Sequence, residues 1–295
     1  MALMIVERSN ARYLPGVVFP DNMHAVATLE ECLAGVRDIL VAVPSHGLRS
    51  TLIAIKPHLA DDSRVCWATK GFELHTGKLP HQVVAEELGA DIPVAVLSGP
   101  TFAKEVGAQL PTAMTVAANN SEFAADLAEA LSGDKFRAYT SDDMTGVEVG
   151  GAVKNVLAIA AGMSDGLGFG ANTRIALITR GLVEMTRLGV ALGAQAATFM
   201  GLAGMGDLVL TCTDNQSRNR RMGLALATGR NVDDIAAEIG QVVEGVYAAR
   251  AVHRVAEREG VDMPICEKVY QILYENASPT DVVDDLMSRA LKAET

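Results

Sequence analysis

Aromatic residues make up only 4% of the 295 positions, with a single tryptophan, so the cores must be packed mainly with Ala, Val, Leu and Ile. Positive charge is also in deficit. The formal net charge of −11 at pH 7 argues against nonspecific nucleic-acid binding, and it would repel an anionic substrate unless a local basic site overcame the field. Cysteine is sparse: Cys32, Cys66, Cys212 and Cys266 are widely spaced and form no C-x-x-C pair, so neither a disulfide framework nor a zinc site is expected, and a reducing cytoplasmic setting is the simplest. His24, His46, His58, His75, His81 and His253 show no metal-ligand spacing. No apolar run reaches the roughly 18 residues of a membrane helix, and the N-terminus lacks the basic, apolar and small-residue pattern of a signal peptide, so no integral membrane segment is expected. Heptads, internal repeats and low-complexity linkers are missing as well.

What is present is a hydrophobic content of 49% on a chain long enough for two domains. Short apolar runs at 38–43, 64–69 and 92–97 each end in a turn, and segments of helical spacing at 48–59 and 79–88 separate them. This is the βαβ alternation of a buried parallel sheet, which runs at 113–117 and 136–139 would complete. In such open sheets ligands bind beyond the carboxyl ends of strands, where Lys70, Gly99 and Thr101 sit. From about residue 141 the pattern changes to helical periods at 144–163, 174–192, 232–239 and 244–259, with no convincing strand. The fold class expected is therefore α/β, a parallel-sheet domain over 1–140 followed by an all-helical domain over 141–295.

Two segments carry chemistry. Gly201 to Arg221 joins a glycine-rich turn, Asp207, Thr211 and the cations Arg218, Arg220 and Arg221 with Asn219 among them. Asp207 and Thr211 are four residues apart, so on a helix they share a face and can grip vicinal hydroxyls together, while a guanidinium beside an amide donor can bind phosphate in bidentate fashion. A phosphorylated polyol suits that set. An ordinary buried helix would explain Leu208, Val209 and Leu210 but would leave Asp207 without a partner. The second segment is Gly150-Gly-Ala-Val-Lys-Asn155, where two glycines inside a helix, costing roughly 1 kcal/mol each against alanine, imply a close approach on the face of Lys154. Lys154 beside a cleared space could work as a base with a lowered pKa. A packing notch with Lys154 snorkelling to water fits the residues equally well.

Taken together the motifs resemble those of the bacterial NAD(P)-dependent glycerol-3-phosphate dehydrogenases. The matching segments are Asn10-Ala-Arg-Tyr-Leu-Pro15, Trp67-Ala-Thr-Lys-Gly71, Ser98-Gly-Pro-Thr-Phe-Ala103, Gly150-Gly-Ala-Val-Lys-Asn155, Ser164-Asp-Gly-Leu-Gly-Phe-Gly170, Gly206-Asp-Leu-Val-Leu-Thr-Cys212 and Asn215-Gln-Ser-Arg-Asn-Arg-Arg221, in family order across nearly the whole chain. The resemblance implies interconversion of sn-glycerol 3-phosphate and dihydroxyacetone phosphate with NAD or NADP, supplying glycerol 3-phosphate for phospholipid synthesis. It implies Lys154 as the catalytic lysine. Lys70, Gly99, Thr101, Lys154, Asp207, Ser217, Arg218 and Asn219 match substrate positions, and Lys70, Ala103, Arg218, Val242 and Glu244 match dinucleotide positions. Asn155 and Thr211 are implied helpers.

One departure stands out. Family members open with a strand, a G-x-G-x-x-G turn, a helix and a second strand, whereas only nine residues precede Asn10 here. The β-α-β segment is thus expected to be missing, which makes 1–140 a truncated, Rossmann-like dinucleotide-binding domain and 141–295 the helical substrate-binding domain. A start codon placed too late, a shortened chain and a cofactor-deficient paralogue would look alike. Gly166-Leu-Gly-Phe-Gly-Ala171 satisfies the glycine pattern but follows a helix, and residues 2–7 read as the tail of a helix rather than a second strand. Two other readings share part of this evidence: a glycerol-phosphate-binding scaffold or sensor without cofactor, and another α/β reductase such as a ketopantoate or hydroxyacid reductase, which would not require the Ser217–Arg221 phosphate grip. A small-molecule phosphorylated substrate and no nucleic acid are the expected partners, and the sequence leaves open whether the chain acts alone or as a homodimer.

Overall fold

The structure, a computed structural model, describes residues 2–280. The chain divides into two compact units, one of Met1–Thr69 with Pro80–Met144, the other of Lys70–Leu79 with the chain from Thr145 on.

The first unit is a five-stranded sheet in the order β1 (Asp38–Val41), β2 (Arg64–Trp67), β3 (Val94–Ser98), β4 (Thr112–Ala118) and β5 (Phe136–Ser141). Its helices are α1 (Ala2–Glu7), α2 (Leu29–Leu33), α3 (Leu48–Ile55), α4 (Pro80–Leu88), α5 (Ala103–Gly107) and α6 (Ser121–Leu131). Residues 2–7 are helical, as the sequence favoured. Every residue of β2 and β3 is buried, which accounts for their unbroken apolar runs, whereas β1 and β5 alternate as edge strands do. The sheet is parallel at β1/β2, β2/β3 and β4/β5, through the crossovers α3, α4 and α6. It is antiparallel at β3/β4, where Val96 faces Ala117, against the uniformly parallel expectation. The connection between those strands holds only the five-residue α5 and turns the chain back, whereas a parallel crossover needs a longer covering element. Arg64, buried on β2, ties the unit together by bonding Asp38 on β1 (2.5 and 2.8 Å) and Asp126 on α6 (2.6 Å) with its guanidinium over the Phe123 ring.

The second unit is helical: α7 (Met144–Gly166), α8 (Ala171–Ala191), α9 (Asp207–Thr213), α10 (Arg218–Leu226), α11 (Val232–Ile239), α12 (Glu244–Glu259) and α13 (Pro264–Tyr274), with no strand among the described residues. Its core is built around α7, with Val149, Val153, Val156 and Ile159 packed against Met185, Leu208, Met222 and Val252. By length and composition α7 is apolar enough to cross a membrane, but its span is wholly buried inside the unit, which accounts for that composition.

Backbone proximity is the organising device of this core. Gly162 on α7 and Gly223 on α10 each leave room for nothing larger, because a Cβ would collide with the Arg220 carbonyl in one case and the Ile159 carbonyl in the other. The segment Lys70–Leu79 is strapped to α12 by Arg254, whose guanidinium donates to the carbonyls of Leu74 (3.0 Å) and His75 (2.9 Å).

Candidate active site

The residues that carry chemistry within the helical unit meet at Asp207. A π-helical turn over Leu202–Gly206, closed by Gly206 N–H to the Gly201 carbonyl (3.1 Å), leads directly into α9 and sets Asp207 at its first residue. Such turns recur at functional sites because they re-aim the residues that follow. Gly150 of α7 lies against this turn, where a Cβ would be 2.5 Å from the Ala203 carbonyl oxygen. The close approach inferred from that glycine is therefore to the π-turn backbone rather than to open space for a ligand.

Asp207 is buried and uses both carboxylate oxygens on lysines. Lys154 Nζ donates to Oδ1 (2.5 Å) and Lys70 Nζ to Oδ2 (2.7 Å). Thr211, one turn further along α9, accepts from Lys154 Nζ (3.2 Å) while its own hydroxyl donates to the Asp207 carbonyl (2.5 Å). Asp207 and Thr211 do share one face, but that face is occupied by Lys154 rather than held free to grip vicinal hydroxyls. Asp207 thus has the partners that a lone apolar-helix reading could not give it.

Lys154 is only 6% exposed and does not snorkel to water. Burial pushes its ammonium pKa down from 10.5 to about 8, Asp207 opposing that shift and the Lys70 charge adding to it. Burial alone would raise the Asp207 carboxyl, but the two lysine charges outweigh it and hold it below the usual range. Two cations around one carboxylate leave a net positive charge at a group able to exchange a proton near neutral pH.

A second group lies on α10. Ser217 caps the helix, its hydroxyl oxygen accepting the Arg220 N–H (3.2 Å). Asn219 is buried, its amide donating to Asn155 Oδ1 (2.8 Å) and accepting Gly245 N–H (2.9 Å), which joins α7, α10 and α12. Arg218 reaches Gln241 Oε1 (3.3 Å); burial lowers its pKa, opposed by the charge of Glu244 at the start of α12. Val242 precedes that helix by two residues. Arg220 does not stand beside Arg218 as a free cation, because its guanidinium turns inward to Asp165 (2.6 Å).

The remaining candidates belong to the sheet unit. Gly99 closes β3 at φ +155° with a would-be Cβ 2.9 Å from Met114 Cα, so both conformation and packing demand glycine. Thr101 donates to the Gly99 carbonyl (3.3 Å) and Ala103 opens α5.

Comparison with known proteins decides what this arrangement is part of. Family models described as the N-terminus and C-terminus of NAD-dependent glycerol-3-phosphate dehydrogenase match residues 1–124 and 143–284. The chain belongs to this family. It is 55% identical to a glycerol-3-phosphate dehydrogenase [NAD(P)+] of Shewanella sp. (strain MR-4) over 100% of this chain and 88% of that protein. A Haemophilus influenzae protein of the same name is 54% identical, with 100% and 88% covered. The crystal structure of glycerol-3-phosphate dehydrogenase from Coxiella burnetii superposes with a TM-score of 0.95 at 49% identity, over 98% of this chain and 88% of that one. The dehydrogenase family thus accounts for both the sheet and the helices that follow it.

The sequence did not single out Asp165 or Glu184. Asp165 lies inside a motif quoted for its resemblance, and its spacing from Lys154, eleven residues or three helical turns, was the available signal. Glu184, buried on α8, accepts the N–H groups of Ile265 (2.8 Å) and Cys266 (3.2 Å) at the start of α13, a pairing across more than eighty residues that carries no local signature.

Proposed function

We propose that this chain oxidises sn-glycerol 3-phosphate at C2 to dihydroxyacetone phosphate, and reduces the ketone in the reverse direction, with NAD or NADP, and that Lys154 is its acid–base group. The observation that carries the reading is the buried Lys154 with its pKa lowered to about 8, held on the Asp207 carboxylate. Neutral Lys154 accepts the C2 hydroxyl proton in the oxidation, and the ammonium returns it to the carbonyl oxygen in the reduction. Asp207 remains anionic and fixes the amine, so the proton exchanges at Nζ and not at the carboxylate. Lys70 adds positive charge where an alkoxide develops. Ser217, Arg218 and Asn219 hold the phosphate, with the Arg218 guanidinium giving charge-assisted bonds that the overall charge of −11 would otherwise oppose. Gly99 and Thr101 are assigned to substrate by the resemblance.

The residues present suit a dinucleotide. The carboxyl ends of the three parallel strands β1, β2 and β3 lie along one edge of the sheet, the place where open α/β sheets bind such ligands. Lys70, Ala103, Arg218, Val242 and Glu244 would hold it. When bound, it supplies the acceptor for the hydride that leaves C2. Among the described residues no G-x-G-x-x-G turn follows a strand, since Gly166-Leu-Gly-Phe-Gly-Ala171 joins α7 to α8. In this reading the diphosphate is held at a glycine-rich turn between a strand and the N-terminus of a helix. Titration of NADH fluorescence against this chain and against one extended upstream through such a turn is expected to show much tighter binding by the longer form. Equal, tight binding would overturn that part of the reading.

A cytoplasmic setting and a supply of glycerol 3-phosphate to phospholipid synthesis complete the reading. The function is tested by following NADH or NADPH formation with sn-glycerol 3-phosphate. Absence of turnover with either dinucleotide, in the extended form as well, would refute it.

A further inference from the structure

The helix carrying the proposed phosphate residues is pinned to the helix carrying Lys154 by one largely buried carboxylate. Asp165, on the last turn of α7, accepts Arg220 Nη2 of α10 (2.6 Å) and Arg174 Nη1 of α8 (2.8 Å), both on Oδ2. The Asp165 and Arg220 side chains are 11% and 10% exposed. The cluster is poorly satisfied for its depth: Asp165 Oδ1, Arg220 Nε and Nη1 and Arg174 Nε are buried with no hydrogen-bond partner. Largely desolvating the Asp165–Arg220 pair and leaving four polar atoms without partners is a poor way to add stability, since apolar residues of similar volume usually do as well or better. A role in fixing register accounts for it.

Lys154 and Asp165 are eleven residues apart, so they lie within about 20° of the same face of α7 and roughly 16 Å apart along it. Gly162 and Gly223 bring the α7 and α10 backbones into contact, and Gly166 adds a third point where a Cβ would be 2.9 Å from the Leu224 carbonyl oxygen. Glycine contacts let two helices approach but resist sliding weakly, because they contribute no interlocking side chains. Asp165 supplies the missing stop by fixing Arg220, two residues beyond Arg218. Only C3 and one ester oxygen link C2 of glycerol 3-phosphate to its phosphorus, so the span is short, and the proton-exchanging amine and the phosphate residues must be held within a narrow range of separations.

Resting on the proposed function, we infer that Asp165 is a positioning residue which, through Arg220, sets the distance between Lys154 and the Ser217–Arg218–Asn219 phosphate grip. The test is steady-state kinetics of D165N and of the doubly apolar D165L/R220M in the extended, dinucleotide-binding form. The second variant removes the Asp165–Arg220 pair together and leaves Arg174, whose side chain is 29% exposed and can turn to water. KM for sn-glycerol 3-phosphate is expected to rise about tenfold or more in each, while KM for the dinucleotide, the pH dependence of kcat and the melting temperature of the double variant stay near those of the parent. A purely structural ion pair would lower the melting temperature of D165L/R220M or leave KM alone once the protein folds, and either result overturns the inference. Failure of the parent itself to turn over glycerol 3-phosphate would instead refute the proposed function, so the two failures are told apart.

Discussion

Asp207 and Asp165 are each a carboxylate between two cations, the first buried and the second nearly so, yet the two clusters are built for different ends. Asp207 gives one oxygen to each of two lysines, whose ammonium groups can lose a proton when desolvated, and Lys154 is accordingly held near pKa 8. Asp165 gives one oxygen to two arginines, whose guanidinium groups are planar forks that do not deprotonate in proteins and so hold a geometry rather than pass a proton. The difference between lysine and arginine is the difference between a group that exchanges a proton and a group that marks a position. Glu184 supplies a third case, a buried carboxylate that accepts backbone N–H groups in place of cations. Burial wins there and pushes its pKa up to about 7, against the bonds from Ile265 and Cys266 and the charge of Arg187.

The largest effect expected is at the proton-exchanging cluster. K154M removes the amine while keeping an apolar stem of similar length, so turnover should fall by about 10² to 10⁴ with the fold intact. Near-normal turnover in that variant would erase the distinction between the two clusters. At the phosphate grip the effect should be smaller and confined to substrate: R218A is expected to weaken glycerol 3-phosphate by roughly 1.5 to 3 kcal/mol, or about 10- to 150-fold, and to leave unphosphorylated glycerol nearly indifferent. Equal losses on both substrates would place Arg218 with the dinucleotide or the fold.

A separate effect concerns stability rather than turnover and uses Glu184 to sharpen the contrast. Its folded carboxyl keeps a proton up to about pH 7, whereas an unfolded one releases it near 4.5. The folded chain thus binds more protons across that window, and stability falls as pH rises from 4.5 to 7. E184Q should flatten that slope by at most roughly 3 kcal/mol, read from denaturant midpoints at the two ends of the window. An unchanged slope would mean that the backbone bonds at the start of α13 outweigh burial.

Much of the fold was legible in the sequence because it rests on local pattern. The buried runs of β2 and β3 and the helical periods of α7, α8 and α12 carry their own signal. The antiparallel β3/β4 pair was not legible, since an apolar run looks the same in either direction. At the site, Gly150 announced a close approach but not its partner, and the carbonyl of Ala203 is brought there only by the π-turn. The partners of Asp207 lie 53 and 137 residues away, and pairings at such separations leave no spacing to read. Arg220 was grouped with Arg218 because adjacent cations suggest one patch, whereas on a helix residues two apart point to different sides.

The proton-exchange role of Lys154 is tested most directly by the pH dependence of kcat in both directions. With the pKa of Lys154 near 8, oxidation of glycerol 3-phosphate should rise with pH through about 8 as the amine becomes neutral, and reduction of dihydroxyacetone phosphate should fall through the same region as the ammonium is lost. Profiles that move in the same direction, or that are both flat between pH 7 and 9, would contradict the assignment of Lys154 as the group that exchanges the proton.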